Sequence, residues 1–371
     1  MTKLRSPLQT ELGERLGLKY PIFGFAHSID VICALAEAGC VGIYGATRDT
    51  PEEIGEHLAE IRDRIGDKPF GVDLVLPRGM PEFDDRSVIE EKLPEAHREF
   101  VEGIYKKYNV PKATKPGMRS RFVRSEQIAQ AQIEVVLSSD VNIFACGIGA
   151  PRETVARARD GGMTTVALLG NPRHVQPALD SGVDILVAQG HDAGAHTGPI
   201  GTFSLVPQIV DVAEGKPVLA AGGVATGRHI AASYALGALG VWIGTSWLTT
   251  HEHALHPTLV EKLLAAGSSD TVISRANSGK TLRQIRTPWS DEWAKDGAPE
   301  PLAMPYQDIL VGDLLGAIHE HEVTPLMHHP AGQSVAFSNE MKSVAEVVAE
   351  LVDEAESTIS RMQDQFGRIN P

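Results

Sequence analysis

Residues 183–198 read VDILVAQGHDAGAHTG. The first six, 183–188, form an apolar, strand-like run. They pass directly into a turn holding three glycines (Gly190, Gly194, Gly198) and two histidines (His191, His196). Glycine lets a backbone approach a ligand closely and take positive φ, and a histidine beside it can exchange a proton near neutral pH. A strand that feeds a glycine-and-histidine turn describes the rim of an active site.

Outward from this stretch the same strand–turn–helix rhythm recurs in both directions. Short apolar runs lie at 21–26, 40–45, 69–76, 142–146, 164–169, 183–188, 217–221 and 240–244. Helical periodicity fills 29–38, 125–137, 152–160, 204–213 and 228–236, and Thr50-Pro51-Glu52-Glu53 supplies an N-cap, a first-turn proline and first-turn carboxylates for a further helix. The alternation predicts βα units around a parallel sheet, and eight such strands match a (β/α)8 TIM barrel. After Pro77 the rhythm breaks. Residues 78–125 are charged and proline-punctuated around one amphipathic stretch at 90–108, an insertion after strand three suited to a lid or a homodimer contact. Residues 251–340 are rich in His, Pro and Gly, and 343–362 read as a long amphipathic helix. The expected organisation is a barrel over 1–250 carrying the 78–125 insertion, an appended substrate-side region over 251–340, and a C-terminal helix over 341–371 packed on the barrel.

Composition narrows the function classes. The 371-residue chain is 42% hydrophobic and 22% charged, which suits a globular protein with a sizeable core. A formal charge of -14 argues against nucleic acid or an anionic membrane as partner. Cys33, Cys40 and Cys146 lack metal-site spacing and read as buried free thiols of a reducing compartment. The polar N-terminus resembles no signal peptide and no apolar run is long enough to span a bilayer, so the expected location is cytoplasmic. The histidines at 251, 253, 256, 319, 321, 328 and 329 form no pattern with a carboxylate at ligand spacing, and no metal is expected.

In a TIM barrel, ligands sit at the C-terminal ends of the strands, and phosphate is commonly held by the loops after the seventh and eighth. Here the seventh strand leads into Ala221-Gly222-Gly223-Val224-Ala225-Thr226-Gly227 and the eighth into Gly244-Thr245-Ser246. Glycine-freed N–H groups and a helix N-terminus suit a phosphate dianion.

With these loops in place, the chain resembles the nitronate monooxygenase family, once called 2-nitropropane dioxygenases, which are FMN-dependent barrels. The family's strand-six motif is similar to QG-x-[DE]-AGGH-x-G, against Gln189-Gly190-His191-Asp192-Ala193-Gly194-Ala195-His196-Thr197-Gly198 here. The segment Pro330-Ala331-Gly332-Gln333-Ser334 also resembles a family element before the last helix. The resemblance implies His196 as the catalytic histidine, with Gln189 and Gly194 against the flavin and Gly222, Gly223, Gly244 and Thr245 at its phosphate. Ala26 and Asp73 fall at cofactor-facing positions. The implied reaction oxidises a small nitronate with O2, giving a carbonyl compound and nitrite, with His196 as base or as an anion-orienting group.

Three departures bear on this reading. The family's APM at the end of strand one is Phe25-Ala26-His27 here, its strand-three Asn is Asp73, and the second glycine of AGGH is Ala195. His27 becomes a candidate substrate-side group. An acid at 73 would oppose an anionic reduced flavin unless paired or protonated. Within the same superfamily, an FMN-dependent enoyl reductase or NAD(P)H:quinone reductase is the alternative, and a flavin-binding protein with little turnover is a third.

Overall fold

The computed structural model describes residues 6–77 and 79–366. In chain order the strands are β1 (Ile22–Ala26), β2 (Val41–Gly45), β3 (Phe70–Val75), β4 (Ile143–Gly147), β5 (Thr164–Leu169), β6 (Ile185–Gln189), β7 (Ala195–His196), β8 (Val218–Ala221), β9 (Gly240–Ile243), β10 (Thr271–Ser274) and β11 (Leu282–Ile285). Strands β1–β6, β8 and β9 pair in parallel and close into a barrel, with β9 returning to β1. These are the eight strands expected from the apolar runs. Each lies within two residues of its predicted bounds because a parallel strand covered on both faces must be apolar throughout.

Side chains alternate along each strand. Phe23, Val41, Ile43, Ile143, Val166, Ile185, Val187, Leu219 and Trp242 form one buried cluster drawn from all round the barrel, which identifies it as the interior. Phe70, Val72 and Leu74 of β3 belong instead to the outer cluster beneath the helices, so Asp73 between them faces inward. Local signals set the helix starts. Thr50 and Glu53 form the reciprocal capping box that the sequence suggests at the head of Pro51–Ile65. All three cysteines are free and buried. Among the described residues, no helix is long and apolar enough to cross a membrane.

The insertion differs from its expected form. Its amphipathic stretch is two helices, Arg86–Glu91 and Glu95–Lys107, separated at Pro94, which has no N–H to continue the first. Their apolar faces (Ile89, Val101, Ile104) meet Trp289, Trp293 and the helix Tyr306–Glu320 in a second buried core shared by the 78–125 and 251–340 segments. Periodicity does not isolate Tyr306–Glu320, because ten of its fifteen residues are buried and no polar stripe remains. The C-terminal helix Val344–Phe366 packs on Gly227–Ala235, where a Cβ on Gly227 would lie 2.1 Å from Ala355 N. A small antiparallel sheet, ordered β10–β11–β7, ties the loop after β6 to the 251–340 region through the pairs Leu282↔His196 and Arg283↔Ala195.

Candidate active site

The barrel brings the residues singled out as site candidates to one rim. Ala26 ends β1 and His27 follows it, Asp73 lies in β3, and Gln189 ends β6. Gly194 and His196 lie in the loop beyond β6, Gly222 and Gly223 follow β8, and Gly244 and Thr245 follow β9.

Four segments are stitched together here, the loops after β6, β8 and β9 and the stretch 330–334. Asp192 accepts from Thr202 N at 2.9 Å through its carboxylate and from Gln333 N at 2.9 Å through its carbonyl. Thr202 Oγ1 donates to Gly222 O at 2.8 Å, and Gly332 N donates to Thr245 Oγ1 at 2.9 Å. A Cβ on Gly194 would lie 2.7 Å from the backbone at Ala331 and Gly332, so the β6 loop and the 330–334 segment meet without room for a side chain. The anion cradle differs in one respect from its expected form. Glu354 of the C-terminal helix accepts from Gly227 N at 2.7 Å and pairs with Arg228 at 2.8 Å, so a carboxylate already occupies that helix N-terminus. What remains open to an anion is the Gly222–Gly223 corner and the start of the 3-10 turn Thr245–Thr249.

His196 is held at both ends. Its carbonyl accepts from Gln189 Nε2 at 2.8 Å, its backbone pairs with Leu282, and its Nε2 lies 2.8 Å from Ser278 Oγ. Burial, then the charges of Arg119 and Arg48, pushes the imidazole down to about 3, so the ring is neutral at physiological pH. His27 donates from Nδ1 to Gly45 O at 2.7 Å, and burial lowers it too. His191 is tied into its own loop: its Nδ1 donates to Gly198 O at 2.8 Å and its carbonyl accepts from Arg283. Asp73 is buried. Desolvation, only partly offset by Arg124, pushes it up to about 7, and its Oδ1 has no hydrogen-bond partner among the described residues.

Besides Ser278, sequence reasoning missed four further residues. Arg48 after β2 and Arg119 of the insertion both donate to Asp308 Oδ1, at 2.8 and 3.2 Å, while Arg124 donates to Val75 O at the end of β3. Burial, then repulsion by Arg48, pushes Arg119 down to about 10 and Arg124 to about 9. Three guanidiniums therefore crowd the mouth of an acidic protein, with Asp308 as the carboxylate that pairs two of them. The run Arg119-Ser120-Arg121-Phe122-Val123-Arg124 is the available signal, a concentration of cations inside a chain of charge -14. Among the described residues, no group of three or more His, Cys, Asp or Glu is placed to hold a metal ion.

Fold and rim together define a TIM barrel with its candidate site at the C-terminal ends of the strands. The sequence model of one family, nitronate monooxygenase, matches residues 14–354, and the chain belongs to that family. A Mycobacterium tuberculosis protein named as a monooxygenase, Rv1533, is 38% identical over 374 residues, covering 96% of this chain and 99% of that protein. A Staphylococcus haemolyticus protein named "Probable nitronate monooxygenase" is 31% identical over 293 residues, 74% of this chain and 77% of that one. Among solved structures, a nitroalkane oxidase from Streptomyces ansochromogenes superimposes with a TM-score of 0.80 at 25% identity, covering 95% of this chain and 100% of its own. FabK from Thermotoga maritima shares the fold, with a TM-score of 0.75 at 24% identity over 96% and 99% of the two chains.

Proposed function

We propose that the chain is an FMN-dependent enzyme that oxidises small alkyl nitronates with O2 to a carbonyl compound and nitrite. The observation that carries this reading is a neutral, half-buried His196 in a mouth crowded by Arg48, Arg119 and Arg124. A nitronate is an anion, and such a mouth favours it over a neutral substrate.

The residues present fit FMN. The Gly222–Gly223 corner and the backbone at Gly244 and Thr245 would take its phosphate. Ala26, Gln189 and Gly194 would line the ring system. The unpartnered Asp73 Oδ1 fits a polar edge of the flavin, since a carboxyl titrating near 7 can present a proton or a lone pair there. Bound FMN would supply the electron-transfer and oxygen chemistry. The protein's part is to orient the nitronate, with His196 as base or as hydrogen-bonding group and His27 on the substrate side.

The absorption spectrum of the purified protein is the first test, since it is expected to show bound flavin. Ethyl nitronate should then drive O2 uptake and nitrite release without NAD(P)H. His196→Asn should keep its FMN and lose turnover by roughly 10²-fold or more. A colourless protein that cannot be loaded with FMN overturns the cofactor assignment. Rapid NAD(P)H oxidation with an enoyl thioester or a quinone, and none with nitronate, selects the reductase alternative.

A further inference from the structure

Ser278 lies in the turn between β10 and β11 and is fully buried. The turn around it is clamped. Asn277 donates to Gln284 Oε1 at 2.9 Å and to His328 Nε2 at 3.0 Å, and accepts from Trp289 Nε1 at 2.7 Å. Gln307 Nε2 donates to Ala276 O at 2.7 Å, and Gly279 is so close to Leu302 O that a Cβ would sit 2.0 Å from it. Asn277, Gln284, His328, Trp289, Gln307 and Ala276 are buried, and although Gln284 Nε2 keeps no partner among the described residues, hydrogen bonds from several buried segments fix the position of this turn. The Ser278 hydroxyl is thus delivered to one place, 2.8 Å from His196 Nε2.

A buried hydroxyl needs an acceptor for its proton. Among the described residues, the only hydrogen-bond partner of Ser278 Oγ is His196 Nε2. Were the imidazole the donor, the hydroxyl hydrogen would be buried with nothing to accept it. The neutral ring carries one proton, and it must then be on Nδ1. Among the described residues Nδ1 has no hydrogen-bond partner, and the residue is half-buried, so Nδ1 is available to a ligand.

We infer that Ser278 is a positioning residue that holds His196 as the Nδ1–H tautomer, making it a hydrogen-bond donor to an anionic substrate oxygen and not a base. The inference rests on the nitronate reading above and narrows it: the enzyme takes preformed nitronates, because its histidine has no free lone pair with which to remove the α-proton of a neutral nitroalkane. The three guanidiniums at the mouth agree with that choice.

Histidine-selective ¹⁵N NMR of the FMN-loaded full chain tests the tautomer directly, with the His196 signals identified by their loss in His196→Asn. The expected result is a protonated Nδ1 and an unprotonated Nε2, with Ser278→Ala giving a mixture of tautomers. In parallel, freshly mixed ethyl nitronate should be turned over at least ~100-fold faster than nitroethane at neutral pH, about the worth of positioned acid–base catalysis. Ser278→Ala should lower kcat/KM for the nitronate by up to about tenfold, the worth of one hydrogen bond between uncharged groups, and Ser278→Thr should restore it to within about threefold. A protonated Nε2 in the wild-type protein overturns the inference and leaves the nitronate reading standing, and it remains decisive should Ser278→Ala fail to fold. Equal turnover of nitroethane and its nitronate also overturns it. An Nδ1–H ring with no nitronate turnover overturns the nitronate reading and the substrate half of the inference, while the tautomer assignment stands.

Discussion

Asp73 is an acid facing the interior of a barrel, with a carboxyl pushed up to about 7 by burial. An unfolded aspartate loses its proton near pH ~4. Between the two values the folded chain therefore binds more protons than the unfolded one, and stability falls as pH rises. Holding the carboxyl at about 7 in the folded chain corresponds to roughly 4 kcal/mol in all, most of it developed between about pH 5 and pH 8. Denaturant unfolding of the flavin-free protein and of Asp73→Asn at those two pH values should show the wild type losing on the order of 3 kcal/mol relative to the variant. Parallel pH responses would mean that Asp73 is already paired. Ala195 makes a related point about local cost. It stands where the family motif has glycine and takes φ 59°. An alanine there is strained by about 1 kcal/mol, which the surrounding stitched loop sustains.

The loops after β8 and β9 predict different outcomes for one added methyl group. Gly222 has φ 89°, and a Cβ there would sit 2.9 Å from Ala193 N and Gly190 O. Gly222→Ala should cost about 1–3 kcal/mol of stability and displace the β6 loop, so FMN binding falls with it. Gly244 has ordinary φ, and the nearest atoms to its Cβ belong to Phe25 at 3.9 Å. Gly244→Ala should leave thermal unfolding unchanged and weaken FMN binding alone, because the methyl group enters the space assigned to the phosphate. Flavin titration beside thermal melts separates the two, and unaltered FMN affinity in both variants would remove the phosphate assignment. These corners are readable in the sequence because a glycine-rich break after an apolar run is a local event. The pairing of β7 with β11 is not, since a two-residue strand carries no periodicity.

Across the molecule, the 78–125 insertion and the 251–340 region share a core and meet the barrel through Asp308. Asp308 is almost wholly buried, and its two arginine partners keep only 18% and 21% of their side-chain surface exposed. Asp308→Ala leaves two guanidiniums deep in the protein without their carboxylate. The expected loss is about 3–5 kcal/mol in urea unfolding. A loss below about 1 kcal/mol would show that water already carries most of that charge.

The eight strands, the capping box at Thr50, the glycine corners and His196 are legible along the chain, because each depends on residues within one or two turns of it. Periodicity and turn chemistry are short-range physics. The surroundings of His196 are of another kind. Ser278 is 82 positions from it, and Asp308 is 260 positions from Arg48. No pattern in either neighbourhood marks these contacts, since burial and proximity exist only once the barrel has closed and the second core has packed over its mouth. A histidine at the end of strand six is therefore a property of the sequence. Its neutrality, its fixed ring and the cations that face it follow from the fold, because desolvation and charge–charge distance are set by every segment packed around it.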